Sequence, residues 1–312
     1  MNALLTISFV AFGCFMSSAF AQATPQAEAD RAVSHVELQR FQVEVVGEGR
    51  PLLLIPGLMS DARVWQPIQT ELATQFELHL VTVKGFGATA SPQDASLVET
   101  GWLQALTVEL GEYLQAHDLE DVSVVGHSLG GFLGMAMALE DPHRITRVVS
   151  IDGVPYLAPL FTRDPNTQVA DMRDNAAQML TYYRSLQTAD ALAATVGQGV
   201  IIHATSEAHQ QQVIDMSAES DSAVVAVAVH DLLQWDLRER MAELDTPLLL
   251  LGATGALPEH MQEQATALYV QQLENLPSAQ NGEILKIHRG SRHFIMFDDP
   301  EWLRAQILGF LQ

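Results

Sequence analysis

Short runs of consecutive apolar residues alternate along this chain with longer segments in which apolar residues recur every three or four positions. Leu52–Ile55 is wholly apolar and stops at Pro56-Gly57, the pattern of a strand buried on both faces. Leu78–Val83, Val122–Val125, Ile145–Ile151, Pro247–Gly252 and Ile284–Ile287 read the same way, and Val36–Phe41 with Gln42–Val46 read as a first pair of strands. Between them lie helical patterns at Ala62–Gln75, Leu129–Leu139, Glu259–Leu273 and Pro300–Leu311, and at Gly101–His117, where Leu103, Leu106, Leu110 and Leu114 fall on one face. Strands alternating with helices predict an α/β fold, a mostly parallel sheet with helices on both sides.

The rhythm breaks at Pro155. From there to Met241 the helical stretches Val169–Gln187, Glu207–Met216 and Asp221–Leu237 follow one another, and Val200-Ile201-Ile202 is ambiguous. An insert of roughly eighty residues is too long for a plain crossover between strands. Residues 156–241 are therefore expected to form a helical lid on a core made of residues 22–155 and 242–312. The alternative is a helical layer that only stiffens the sheet edge. The insert carries Phe161, Met172, Met179, Tyr182, Leu232 and Trp235. If several face inward the pocket is apolar; otherwise they pack the insert onto the core.

Composition narrows the classes of function. Nearly half of the 312 residues (48%) are apolar, enough for a substantial core. A net charge of −22 opposes nucleic acid and anionic membrane surfaces as partners. The single cysteine, Cys14, excludes an internal disulfide and a cysteine-rich zinc site. Ala3–Phe20 has no charged residue and leads into Ala19-Phe20-Ala21, so residues 1–21 read as a secretory signal peptide and the mature chain as periplasmic or secreted. Lipid attachment at Cys14 and an uncleaved anchor are the alternatives. After cleavage no apolar run is long enough to span a membrane. No cofactor is expected: the Gly85-Phe86-Gly87 stretch lacks a third glycine at dinucleotide spacing, and no two histidines sit at helical ligand spacing with a carboxylate between them.

The most informative stretch is Val125-Gly126-His127-Ser128-Leu129-Gly130-Gly131. A G-x-S-x-G between a strand and a helix turns the chain sharply and lifts the serine hydroxyl above the sheet edge. The helix N-terminus behind Ser128 favours developing negative charge, and the Leu129 amide is available to hold an oxyanion. The bland reading is a glycine-rich connection with an incidental serine. Together with Ile55-Pro56-Gly57-Leu58, Trp65, Lys84-Gly85-Phe86-Gly87 and Arg292-His293-Phe294, this stretch resembles the α/β-hydrolase superfamily over most of the mature chain, from Val36 to Leu311. The resemblance implies an eight-stranded sheet, a nucleophile at Ser128, a base at His293 on the loop before the last helix, and an oxyanion hole from the amides of Leu58 and Leu129. His288 is a weaker base, and His127, next to the nucleophile, is expected to point away and order the loop.

The acid departs from the common pattern. Many members of the superfamily carry it in a Gly-x-x-Asp turn after the seventh strand, where this chain has Gly252-Ala253-Thr254-Gly255. Asp152, at the end of the sixth strand, is the preferred acid, since that strand is expected to lie about 5 Å from the nucleophile strand and some members place their acid there. Its alternative role is turn former or helix cap. Asp236, Asp298 and Asp299 are further candidates, the last two more suited to capping the helix at Pro300. The resulting expectation is a serine hydrolase acting on a small, hydrophobic ester, thioester or lactone. A carbon–carbon bond hydrolase or a cofactor-free perhydrolase would use the same triad. A catalytically inert binding protein that keeps the fold is the competing class, supported by the missing acid at Gly255.

Overall fold

A computed structural model describes residues 34–277 and 284–312; the expected signal peptide lies outside the described residues. Eight strands form one sheet: β1 (Ser34–Glu37), β2 (Phe41–Val46), β3 (Arg50–Ile55), β4 (Phe76–Val83), β5 (Val122–His127), β6 (Ile145–Ile151), β7 (Leu248–Ala253) and β8 (Leu285–His288). Their spatial order is β1-β2-β4-β3-β5-β6-β7-β8, antiparallel from β1 to β4 and parallel from there on. The parallel strands are the continuous apolar runs. Leu52, Leu53, Leu54 and Ile55 are all inaccessible to solvent, because helices cover both faces, and each such side chain contributes about 1.5–3 kcal/mol of burial.

The helices are α1 (Gln66–Leu72), α2 (Trp102–Ala116), α3 (Leu129–Glu140), α4 (Ala158–Thr162), α5 (Val169–Ser185), α6 (Ala189–Gly197), α7 (Glu207–Ala218), α8 (Ser222–Gln234), α9 (Glu259–Gln272), α10 (Ile295–Asp298) and α11 (Pro300–Leu311). Helices α4 to α8 form one insert between β6 and β7. Within it α8 docks on the core: Asp231, buried, accepts hydrogen bonds from the amides of Gly101 (3.0 Å) and Leu103 (3.1 Å) and so caps α2 from outside its own sequence. The apolar residues of the insert divide. Met172, Leu232 and Leu233 are buried, and Trp235 packs edge-on against Phe132 of α3. Phe161, Met179 and Tyr182 are exposed.

One local expectation needs correction. The first strand ends at Glu37 rather than running to Phe41, because the Glu109 carboxylate on α2 draws the amides of Gln39 (2.6 Å) and Arg40 (3.3 Å) out of the ladder. Val200–Ile202, ambiguous in the sequence, is a 3-10 turn. Its carbonyl groups and those of its neighbours are used elsewhere, as described next.

Candidate active site

The carboxyl ends of β5 and β6 set the site. His127 is paired with Ile151 in the parallel register, so Ser128 and Asp152 each stand one residue beyond that pair, side by side at the rim. Both have positive backbone φ, 53° in each case, a conformation that side-chain-bearing residues rarely adopt. At Ser128 the cause is the strand-to-helix turn, in which the helix begins at Leu129. That turn needs glycine at 130: a Cβ there would sit 2.0 Å from the Ile55 carbonyl oxygen. The Pro56-Gly57-Leu58 loop crowds the same point, since a Cβ on Gly57 would lie 3.1 Å from the Ser128 Cβ. Among the described residues the amides of Leu58 and Leu129 donate to no carbonyl or side chain. For Leu129 this follows from its place as the first residue of a helix.

Asp152 and His293 meet directly. The imidazole Nδ1 lies 2.6 Å from Asp152 Oδ2. The other carboxylate oxygen accepts from the Ala253 amide at 2.9 Å and from the Tyr269 hydroxyl at 2.5 Å. Asp152 is thus held at both oxygens, with its side chain 9% exposed against 25% for His293. Burial, followed by the Asp152 charge and hydrogen bond, pushes the Tyr269 phenol well above its ordinary value, so the proton stays on Tyr269. Sequence reasoning missed this residue. A tyrosine at helical spacing reads as core filler, and only the folded sheet brings α9 over the end of β6.

The remaining carboxylates and histidines have other work. Asp236 is bound bidentately by Arg238. Asp298 accepts from the amides of Arg292 and Thr205, each at 2.8 Å. Asp299 caps α11 at the Trp302 amide (3.0 Å) and bonds His288 Nε2 at 3.1 Å. His288 Nδ1 accepts from the Ser291 amide at 2.8 Å, so both its nitrogens are occupied in shaping the turn. Among the described residues no group of three or more His, Cys, Asp or Glu is arranged to hold a metal ion.

His127, expected to point away, lies with its ring 4.6 Å from that of His293 and holds that residue's loop. Its Nε2 donates to the His293 carbonyl at 3.1 Å, while its ring packs 4.4 Å from that of Phe294. Burial, reinforced by the neighbouring His293, pushes its ionisation well below the ordinary value, so it is neutral. The insert holds the same loop from the other side. The amides of His293 and Phe294 donate to the carbonyls of Ile202 (3.2 Å) and His203 (2.8 Å). The Arg292 guanidinium donates to those of Ile201 (2.7 Å) and Ala204 (2.9 Å). His203 lies with its ring 5.7 Å from that of His293, and burial, then His293, pushes its ionisation down to about 4. Ser128 Oγ makes no hydrogen bond among the described residues. Asp152 and the imidazole are joined, and Ser128 stands at the same rim without a hydrogen bond to the ring.

The sequence profile of the alpha/beta hydrolase fold matches residues 50–300. The chain is 26% identical over 227 residues to a pimeloyl-acyl-carrier-protein methyl ester esterase of Edwardsiella ictaluri, covering 70% of this chain and 81% of that one. It is 28% identical over 223 residues to a 2-hydroxy-6-oxo-2,4-heptadienoate hydrolase of Pseudomonas putida, covering 66% and 78%. Its fold is similar to that of an enol-lactonase from Burkholderia xenovorans, with a TM-score of 0.67 at 15% identity over 89% of this chain and 99% of that one.

Proposed function

The chain belongs to the alpha/beta hydrolase fold family, and we propose that it is a serine hydrolase cleaving an ester, thioester or lactone through an acyl-enzyme on Ser128. The observation that carries this reading is the 2.6 Å contact between His293 Nδ1 and a doubly held Asp152, beside a serine in a strained strand-to-helix turn. It also supports an enzyme over an inert binding protein, since Asp152 supplies a carboxylate where Gly255 has none.

The chemistry follows from those positions. His293 Nε2 takes the Ser128 proton as Oγ attacks the acyl carbon. The carbonyl oxygen becomes an oxyanion between the amides of Leu58 and Leu129, at the N-terminus of α3. Asp152 fixes the Nδ1–H tautomer and offsets the imidazolium charge. The proton then passes to the leaving alcohol or thiol, and water repeats the sequence to release the acid. Relatives named as a methyl ester esterase and as a hydrolase of a dienoate support hydrolysis of small organic molecules. Export to the periplasm or medium belongs to the same proposal and rests on residues 1–21; a mature chain beginning at lipid-modified Cys14 would replace it with membrane anchorage.

The test is a fluorophosphonate probe with a graded panel of acyl esters, thioesters and lactones. Labelling at Ser128 together with turnover of at least one panel member is the expected result. An unlabelled, inactive, folded protein would return the chain to the binding class.

A further inference from the structure

We propose that Tyr269 is a positioning residue that sets the strength of the Asp152–His293 pair, resting on the serine-hydrolase reading of that pair. The phenol comes from α9, far from the sheet rim in sequence, and is buried at 5% exposure. Its ring packs against the end of β7, where a Cβ on Gly252 would come within 3.1 Å of it. From there the hydroxyl reaches Asp152 Oδ1. The carboxylate therefore divides its charge: Oδ1 receives the phenol and the Ala253 amide, and Oδ2 receives the imidazole. Hydrogen bonds to a carboxylate draw charge from it and weaken its hold on a second proton donor. Tyr269 remains protonated and so always donates.

The groups around this unit leave the carboxylate as its dominant charge. His293 faces Asp152, His127 at a ring distance of 4.6 Å and His203 at 5.7 Å. Both of these histidines are held neutral near pH 7. On its own loop, Arg292 is committed to carbonyls of the insert, and Asp298 to the amides of Arg292 and Thr205. Arg163 on the insert lines the apolar recess of about 190 Å³ on the far side of Tyr269. A structural role for Tyr269 would be served by any aromatic ring. A positioning role needs the hydroxyl and must respond to its acidity.

The experiment follows the His293 ring by nitrogen NMR through a pH titration of the full protein, which needs no turnover. Tyr269→Phe concentrates charge on Oδ2, so the His293 midpoint moves to higher pH by ~0.5 unit. A 3-fluorotyrosine at position 269, a more acidic phenol and a stronger donor, moves it to lower pH. In the active enzyme the acidic limb of kcat/KM moves in the same two directions. Midpoints that stay at the wild-type value in both variants, or move in one direction in both, overturn the proposal. Opposite shifts in a protein that fluorophosphonate does not label would keep the positioning role and defeat the serine-hydrolase reading alone.

Discussion

Two adjacent turns leave the sheet at the same edge, one after β6 and one after β7, yet only the first offers a carboxylate to His293. The turn after β7 is committed as backbone. Thr254 and Gly255 donate their amides to the carbonyls of His288 (3.2 Å) and Ser291 (2.8 Å), tying β7 to the histidine loop. A Cβ on Gly255 would stand 2.5 Å from the Gly290 oxygen and 2.6 Å from that of Ser291. No side chain fits there. The turn after β6 instead carries a side chain to the imidazole. Ser150 Oγ closes it by donating to the Gly153 carbonyl at 2.8 Å, and Asp152 is left with room to meet the imidazole. The lesson is steric: the acid stands on the turn that is not packed against the loop it serves.

The largest effect is expected at Ser128, the proposed nucleophile. Ser128→Ala should lower kcat by roughly 10⁴-fold or more, with fluorophosphonate labelling lost. Next comes the turn after β6. Asp152→Asn should cost roughly 10³-fold in kcat, because the amide no longer fixes the Nδ1–H tautomer. A loss under about tenfold would break the contrast and move the acid role to another carboxylate.

The turn after β7 sharpens the contrast from its other side. Gly255→Asp, made in the Asp152→Asn background, should not restore activity, and should lower stability by about 2 kcal/mol, or roughly 5 °C in Tm, by overpacking against residues 290 and 291. Recovery of turnover would mean that the two turns are interchangeable. The smallest effect concerns pH. The folded state holds His127 and His203 neutral, the latter down to about pH 4, whereas an unfolded chain protonates them near pH 6.5. Stability tied to these groups is therefore present above pH 6.5 and declines as pH falls from there toward 4. A thermal melt series should show this slope, and His203→Gln should make it shallower.

The nucleophile turn was legible in the sequence because its glycines leave few other readings, and the sheet because buried parallel strands are written as apolar runs. Asp152 was legible by position once Gly255 had nothing to ionise. The partners of these groups were not. Tyr269 lies 117 residues from Asp152 and Glu109 lies 70 residues from the Gln39 amide it captures. Each shows only the ordinary helical spacing of its own element. Val200–Ile202 stayed ambiguous in the sequence because β-branched residues suit a strand, while its carbonyls are consumed by the loop of His293.

That last arrangement constrains how a substrate can enter. The backbone of His293 hangs from Ile202 and His203, and Arg292 clasps the carbonyls on either side. If this corner of the insert swung outward to admit a guest, it would drag the imidazole from its carboxylate, and the machinery would idle for as long as the door stood ajar. Traffic must therefore pass by another corner, or uncovering and disarming become a single event, a built-in safeguard against attack on whatever drifts past an open mouth.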